Sequence, residues 1–280
     1  MGGIGVAAII LNWIGWSSLS LQQHVLKVSV LDIGQGDSIL LQGPTGLRIL
    51  VDGGPDQSVL RKLPSAIGVF AQRIDMIVET HPDKDHIAGL VDVFDKYRIS
   101  YFLSPGVPGT TDTAQALDGG VASEPGIHAF LARRGMRIHL GGGAYADILY
   151  PDRDMSRQTA TNDASITMRV VYGATSFMLT GDLPSKIEEH LLSLGTNELE
   201  TTVLKAGHHG SKSSTGDAWL AALHPSVVAI SAGKGNSYHH PNQETLDRIA
   251  HAGARIASTI EHGTLTFVSD GVSVLQSNER

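Results

Sequence analysis

Four side chains that can bind a metal ion fall within six consecutive residues, the segment HPDKDH at positions 81–86. Successive side chains of a strand point to opposite faces, so this density requires a tight loop that turns several of them inward. Carboxylates mixed with imidazoles suit Mn²⁺, Zn²⁺ or Fe²⁺, and the absence of cysteine argues against a thiolate-bound structural zinc site. The segment therefore predicts a metal centre. The alternative is a solvated turn that caps the helix expected to follow at Ile87.

Further potential ligands follow later predicted strands. Asp182 ends an apolar strand, where a carboxylate can bridge two cations, although such an Asp is also a common helix cap. His208 and His209 lie between two glycines, which allow the backbone to approach a ligand or substrate. The next strand leads into a polar segment that contains Lys234, Asn236 and His240.

The elements that must position these residues alternate along the chain. An opening antiparallel meander is predicted from strands at 25–32, 38–42 and 47–51, and mixed sheets with helices outside fit a layered sandwich. The stretch 106–126, rich in Gly, Thr, Asp and Pro, predicts a mobile insertion. The other predicted strands are 74–79, 100–103, 165–172, 176–179, 201–206 and 227–231, with a closing hairpin from 265–268 and 272–275. The predicted helices are 57–70, 87–94, 184–194, 217–223 and 242–251.

Composition limits the function classes. A chain of 280 residues can form one catalytic domain with a sizeable core. The formal net charge of −7 argues against a broad electrostatic grip on duplex DNA, although bound divalent cations would add positive charge where carboxylates cluster. Residues 1–20 form a hydrophobic leader, whose apolar run is shorter than the roughly 20 residues of a spanning helix. We expect the remnant of a transmembrane helix, with a buried or amphipathic helix as the alternative, followed by a catalytic domain at 21–280.

Seven motifs together resemble the C-terminal hydrolase domain of the ComEC-type DNA-uptake proteins, in the metallo-β-lactamase superfamily. They are LDIGQGDS at 31–38, DGG at 52–54, HPDKDH at 81–86, NDAS at 162–165, GD at 181–182, HHGS at 208–211 and NSYHHP at 236–241. The resemblance covers residue 25 to the C terminus. It implies an α/β fold, the metallo-β-lactamase αββα sandwich of two mixed β-sheets with outer helices.

Two departures from the wider superfamily make the expected site richer in oxygen. Asp83 stands where a second histidine is usual, and residues 162–165 replace another histidine, which favours Mn²⁺ and leaves Zn²⁺ as the alternative. By resemblance, one of two divalent ions is held by His81 and Asp83 and the other by Asp85 and His86, with Asp182 between them. The remaining ligand is expected to be His208, or else His209.

The resemblance also implies catalytic and substrate-binding residues. The cations would generate hydroxide from a bridging water, which Asp85 could orient, and would stabilise charge on a phosphodiester. His240, Lys234 and Ser211 are candidates to serve the leaving oxygen, and each has a structural alternative as a packed imidazole, a solvated charge or a turn cap. The residues expected to line the substrate site are Asp32, Gln35, Asp37, Asn162, Ser165 and Asn236.

The implied function is a two-metal nuclease or phosphodiesterase that degrades the non-transported DNA strand during natural transformation. The expected partners are single-stranded DNA as substrate and the membrane channel portion of the same longer protein, with the isolated domain a monomer. The domain is expected to be membrane-associated, on the extracytoplasmic side. The alternatives are a hydrolase of a small ester, lactone or phosphodiester, and a DNA-gating module without turnover.

Overall fold

The computed structural model describes residues 24–195 and 199–279, so the predicted leader at 1–20 lies outside the described residues. Fifteen strands lie in these ranges: β1 Leu26–Val30, β2 Ile39–Gln42, β3 Arg48–Val51, β4 Arg73–Val78, β5 Arg98–Ser104, β6 His128–Leu131, β7 Arg137–Gly141, β8 Ala144–Tyr150, β9 Thr167–Tyr172, β10 Thr175–Leu179, β11 Val203–Lys205, β12 Val227–Ile230, β13 Arg255–Ser258, β14 Leu265–Ser269 and β15 Val274–Asn278.

The helices in the same described ranges are α1 Ser58–Ile67, α2 Lys84–Lys96, α3 Asp112–Ser123, α4 Ser185–Ser193, α5 Asp217–Leu223, α6 Gln243–His251 and α7 Thr259–His262. Two 3-10 turns occupy Thr161–Ala164 and Gly207–Gly210. In this part of the chain, no helix is both long enough and apolar enough to cross a bilayer.

The strands form two mixed sheets. The first has the order β15-β14-β1-β2-β3-β4-β5-β6 and the second β13-β12-β11-β10-β9-β8-β7. The predicted opening meander is confirmed, because β2 pairs antiparallel with both β1 and β3. Parallel pairing then joins β3 to β4 in one sheet and β10, β11 and β12 in the other.

Three apolar clusters define the layers of the sandwich. Val28 and Phe177 belong to a cluster that joins the inner faces of the two sheets. Leu63 and Leu90 place α1 and α2 against the outer face of the first sheet, and Trp219 places α5 against the outer face of the second. Each sheet is thus buried on both faces, and the predicted αββα sandwich is confirmed.

The prediction of a mobile insertion at 106–126 is wrong. This stretch contains α3, and the Thr111 side chain caps its first turn by accepting a hydrogen bond from the backbone N–H of Ala114 at 3.2 Å. Ala114 and Leu117 are buried against the first sheet. The polar composition hid a helix that needs only a narrow apolar stripe, because one face packs and the rest is solvated.

The topology brings the predicted site residues to one edge. Strands β3 and β4 of one sheet and β10, β11 and β12 of the other are each followed directly by a segment that was predicted to carry chemistry. The carboxyl ends of parallel neighbours meet at a common edge, where ligands bind in open α/β sheets. We call this edge the metal-centre edge, and the one at the other end of the strands the opposite edge.

Candidate metal centre

The segment at 81–86 is a turn that runs into a helix. His81 follows β4 and is fully buried, and α2 begins at Lys84, three residues earlier than predicted. Asp83 occupies the helix N-cap position, but its carboxylate makes no capping hydrogen bond and lies instead 3.7 Å from Nε2 of His81. The alternative of a solvated turn that caps the helix does not fit, because His81 and His86 are buried and Asp83 makes no capping hydrogen bond.

Asp182 lies at the centre of four histidines. One of its oxygens is 3.3 Å from Nε2 of His86, and the other is 3.5 Å from Nε2 of both His208 and His209 and 3.9 Å from that of His81. The carboxylate is almost fully buried, so its position is fixed by packing. This is the arrangement that a bridging ligand requires.

The two adjacent histidines differ in their surroundings. Both have left-handed backbone conformations, with φ of 49° at His208 and 55° at His209, which costs a non-glycine residue about 1 kcal/mol or more. The Nδ1 of His209 donates to the carbonyl of Ser231 at 3.1 Å, so its buried Nε2 faces Asp85 at 3.3 Å and Asp182. His208 keeps a side chain that is 30% exposed. The geometry favours His209 as the ligand, the reverse of the predicted preference.

The orientation of His86 depends on Asp52, which sequence reasoning did not assign to the site. The Nδ1 of His86 lies 2.7 Å from Asp52, whose carboxylate also accepts hydrogen bonds from the backbone N–H and the hydroxyl of Thr80 at 2.8 and 2.7 Å. A carboxylate behind a ligating imidazole fixes its tautomer and leaves the other nitrogen free. The signal was present in the sequence, because Asp52 follows β3 in the DGG motif.

Asp37 is not a substrate-binding residue. It is buried and forms an ion pair with Lys205, while its other oxygen lies 3.3 Å from Nδ1 of His209. Lys205 itself is fully buried in β11, and its ammonium also donates to the carbonyl of Gly181 at 3.4 Å. A lysine in an otherwise apolar strand was the overlooked signal for this pair, which lies behind His209.

The donor set fits divalent cations. Five buried atoms lack a hydrogen-bond partner and converge on this region: Oδ1 of Asp37, Nε2 of His81, Nε2 of His86, Oδ1 of Asp182 and Nε2 of His209. Ligand atoms of four of these residues, all except His81, lie within 4.8 Å of one another. Leaving such atoms unpaired costs about 1–3 kcal/mol each, so a bound cation would relieve several penalties at once.

The charges of the cluster are matched to a cation. Burial alone would raise the pKa of Asp182, but His209 and His86 hold it well below its ordinary value. Burial also opposes the charge on the imidazoles, yet Asp182 and Asp37 raise the pKa of His209 to about 9, and Asp182 and Asp52 raise that of His86 well above its ordinary value. Because metal ions bind the neutral imidazole, a cation would displace the protons of these histidines.

His240 lies at the rim of the cluster. Its ring centroid is 5.4 Å from that of His208 and 6.4 Å from that of His209, and the ring of Tyr238 stacks on it with a centroid distance of 5.8 Å. The amide of Asn236 donates to the carbonyl of His240 at 2.6 Å and accepts from its N–H at 3.0 Å. Asn236 therefore shapes the loop that presents His240.

The other predicted residues take structural or peripheral positions. Ser165 is fully buried and accepts from the backbone N–H of Asp182 at 3.2 Å, so it positions a ligand rather than contacting substrate. Ser211 is buried, and its hydroxyl pairs with that of Ser213 at 3.0 Å, which supports its reading as a turn cap. Lys234 is solvent-exposed. Gln35 accepts from the N–H of Gly233 at 3.2 Å.

Two substrate candidates remain at the margin. The backbone N–H of Asp32 donates to the Thr264 hydroxyl at 3.2 Å, and the side chain is half-buried. Asn162 is half-buried in the 3-10 turn that ends beside Ser165, whose N–H donates to the Asn162 carbonyl at 3.1 Å. The role of Asp32 and Asn162 in substrate binding stays a prediction.

Comparison with known proteins agrees with the observed fold. Residues 31–109 match the family model of the metallo-β-lactamase superfamily. Igni18, a metallo hydrolase from Ignicoccus hospitalis, superimposes with a TM-score of 0.53 at 15% identity, covering 86% of this chain and 98% of that one. The chain therefore has the metallo-β-lactamase fold, and its residues 31–109 are similar to that superfamily.

Its homologues include competence proteins of the ComEC family. The chain is 29% identical over 261 residues to ComE operon protein 3 of Bacillus subtilis (strain 168), covering 86% of the chain and 33% of that protein. It is 26% identical over 261 residues to competence protein ComA of Neisseria gonorrhoeae, covering 92% of the chain and 34% of that protein. The chain thus spans about a third of the length of these relatives.

Proposed function

We propose that this domain is a two-metal phosphodiesterase that cleaves single-stranded DNA, and that its substrate is the strand discarded during natural transformation. The observation that carries the proposal is the convergence of five buried, unpartnered nitrogen and oxygen atoms, one of which is Oδ1 of Asp182 itself. Structural histidines normally satisfy both ring nitrogens when buried, so such a cluster indicates a site that awaits ligands. The competence-protein homologues support DNA as the substrate class.

The residues divide the work between two ions. In this proposal His81 and Asp83 would hold one ion, His86, His209 and Asp85 would hold the other, and Asp182, which lies within 4 Å of all three histidines, would be shared. Two divalent cations, with Mn²⁺ favoured over Zn²⁺ because carboxylates are so numerous, would supply Lewis acidity and a water of lowered pKa. Asp85, whose side chain is 34% exposed, is placed to orient that water, since it borders both the cluster and solvent.

The rim residues would bind the scissile phosphate. The half-buried imidazole of His240 stands over His208 and can donate a hydrogen bond to a phosphate oxygen. The exposed Lys234, six residues away in the same loop region, can add a positive charge toward an approaching strand. The side-chain amide of Asn236 bridges this loop, because it donates to the carbonyls of Gly233 and His240. Loss of Asn236 would therefore displace His240 without removing any metal ligand.

We further propose that the domain acts as part of a longer membrane protein, on the extracytoplasmic side, beside a channel that takes up the other strand. Two observations support this proposal: the competence-protein relatives are roughly three times the length of the matched region, and residues 2–16 are apolar in composition.

The test is cleavage of end-labelled single-stranded DNA with Mn²⁺, Mg²⁺, Zn²⁺ or EDTA. We expect Mn²⁺-dependent cleavage that Asp182→Asn abolishes, because the variant keeps the shape but loses the bridging charge. Asp147→Asn is the matched control, since Asp147 pairs with Arg137 in an exposed position away from the cluster. Inert DNA combined with turnover of a chromogenic lactam or a small ester would replace this proposal. Tight metal-dependent DNA binding without cleavage would indicate a gating module instead.

A further inference from the structure

The edge of the sandwich opposite the metal centre has an unusual surface. Strands β1 and β3 run in the same direction, because both are antiparallel to β2, and β4 and β5 are parallel to β3. The amino ends of these four strands therefore lie together at the opposite edge. His24, the first described residue, precedes β1 here, so residues 1–23 join the domain at this edge.

Large apolar side chains project from the loops of this edge. Val69 and Phe70, in the connection from α1 to β4, are 73% and 93% exposed, and Val272, in the turn from β14 to β15, is 81% exposed. That turn lies at the same edge, because the end of β14 pairs with the start of β1. Exposed apolar tips on separate loops at one edge of a fold mark an interaction surface more often than scattered ones do.

Basic residues run along the same edge. Lys27, Arg48, Arg73 and Arg98 each lie at or next to the beginning of one of the strands β1, β3, β4 and β5. One shallow groove is lined by Arg48 and Arg73, and a neighbouring groove is lined by Arg73 and Arg98, so the three arginines form a continuous row. The acidic residues in these grooves are Asp75, 2.6 Å from Arg73, and Glu124. Arg73 is thus paired, and the three arginines exceed the two acidic residues by one positive charge on a chain whose net charge is −7.

We propose that this edge docks on the surface of an anionic phospholipid bilayer. Phe70, Val69 and Val272 would enter the interfacial region, and the arginines would contact lipid phosphates while their stems cover apolar surface. The occupant is a bilayer rather than another protein because the segment that joins the domain here, residues 1–23, carries an apolar run with two tryptophans at 2–16. The metal centre would then face away from the membrane. The proposal does not depend on the catalytic one.

The absence of cysteine permits a direct test on the full chain. Phe70→Cys, Val272→Cys and Tyr238→Cys are labelled separately with nitrobenzoxadiazole and mixed with vesicles of phosphatidylcholine and phosphatidylglycerol at roughly 7:3. Tyr238 is the control, because it is 64% exposed at the metal-centre edge. We expect blue-shifted emission and quenching by doxyl-labelled lipid at positions 70 and 272, and neither change at 238.

Water-like emission at positions 70 and 272 on vesicle-bound protein would overturn the proposal, because residues 1–23 would then tether the domain without docking it. Equal changes at position 238 would overturn it too.

A charge test uses the Val272→Cys label. Replacing Arg73 and Arg98 by Glu should raise the lipid concentration for a half-maximal shift at least roughly tenfold, since each basic residue contributes about 1 kcal/mol at an anionic surface. Arg137→Glu is the control, because Arg137 has a comparable partner, Asp147, and lies away from the row. Equal effects of the two charge reversals would contradict a specific role for the row. Urea midpoints of all variants separate loss of docking from loss of folding.

Discussion

The buried ion pair of Lys205 and Asp37 provides a sharp test of how the centre is held together. Both side chains are almost completely buried, and the pair lies directly behind His209. Burial alone would raise the pKa of Asp37, but Lys205 and His209 hold it below its ordinary value, so the carboxylate is charged at neutral pH. Lys205→Met keeps most of the length of the side chain and removes the charge, which leaves Asp37 buried without its cation.

The expected loss is large for a single substitution. Breaking one partner of a buried pair costs about 3–5 kcal/mol, because the remaining charge is desolvated without compensation. Total stabilities are roughly 5–15 kcal/mol, so Lys205→Met would remove a large share of the free energy of unfolding. Asp37→Asn should destabilise the protein similarly. The double variant carries neither charge, and we expect it to lose no more than either single variant.

Urea unfolding in EDTA measures this cycle without contributions from bound metal. The four proteins, wild type, two single variants and the double variant, are compared at neutral pH. A control cycle on the exposed pair of Arg137 and Asp147 should show a much smaller coupling, since surface pairs are screened by solvent. Additive losses at Lys205 and Asp37 would refute the view that the two charges compensate each other.

Three further predictions concern other parts of the molecule. Burial raises the pKa of Glu188 to about 7 from its ordinary 4.5, so the stability that its protonated form contributes is complete below pH 4.5 and is lost as the pH rises through about 7. The difference in free energy of unfolding between the wild type and Glu188→Gln should therefore fall by roughly 3 kcal/mol as the pH rises from below 4.5 to above 7. Urea titrations that give the same difference at acidic and alkaline pH would contradict the prediction. Gly36→Ala should cost about 1–3 kcal/mol more than Gly46→Ala in urea unfolding. A Cβ at Gly36 would overlap the backbone carbonyl oxygen of Asp85, whereas Gly46 has φ of 89° but open space around it. Asp52→Asn should weaken metal binding roughly 10- to 100-fold by isothermal titration calorimetry, since the hydrogen bond that orients His86 is altered, and an unaltered affinity would remove Asp52 from the site.

The sequence predicted the strands and helices whose patterns are local. Strong apolar runs placed β4, β10 and β12, and helical spacing gave α5 with its observed bounds, Asp217–Leu223. Two of the missed elements, β6 and α3, lacked such patterns, whereas β8, which was also missed, alternates buried and half-buried residues. Strand β6 is exposed at all four residues and lies at the end of its sheet, so no alternation of buried and exposed positions predicts it. The apolar stripe of α3 is similarly sparse within a polar segment.

The site residues also fall into two groups: those that a local motif predicts and those whose role depends on the three-dimensional structure. Motif residues such as His81 and Asp182 were found because their types and spacing are rare outside metal centres. The preference between His208 and His209 could not be predicted, because it depends on left-handed backbone conformations that aim one ring inward and leave the other part-exposed. Lys205 was missed because its partner, Asp37, is 168 positions away and meets it only through the packing of the two sheets.

The most direct test of the central claim is the number of metal ions that the chain binds. We expect Mn²⁺ titration by calorimetry, checked by elemental analysis after dialysis, to give two ions per chain for the wild type and at most one for Asp182→Asn, because Asp182 is within 4 Å of four histidines that surround both proposed positions. Equal stoichiometry and affinity in the two proteins, or no binding by the wild type, would contradict a two-metal centre bridged by Asp182.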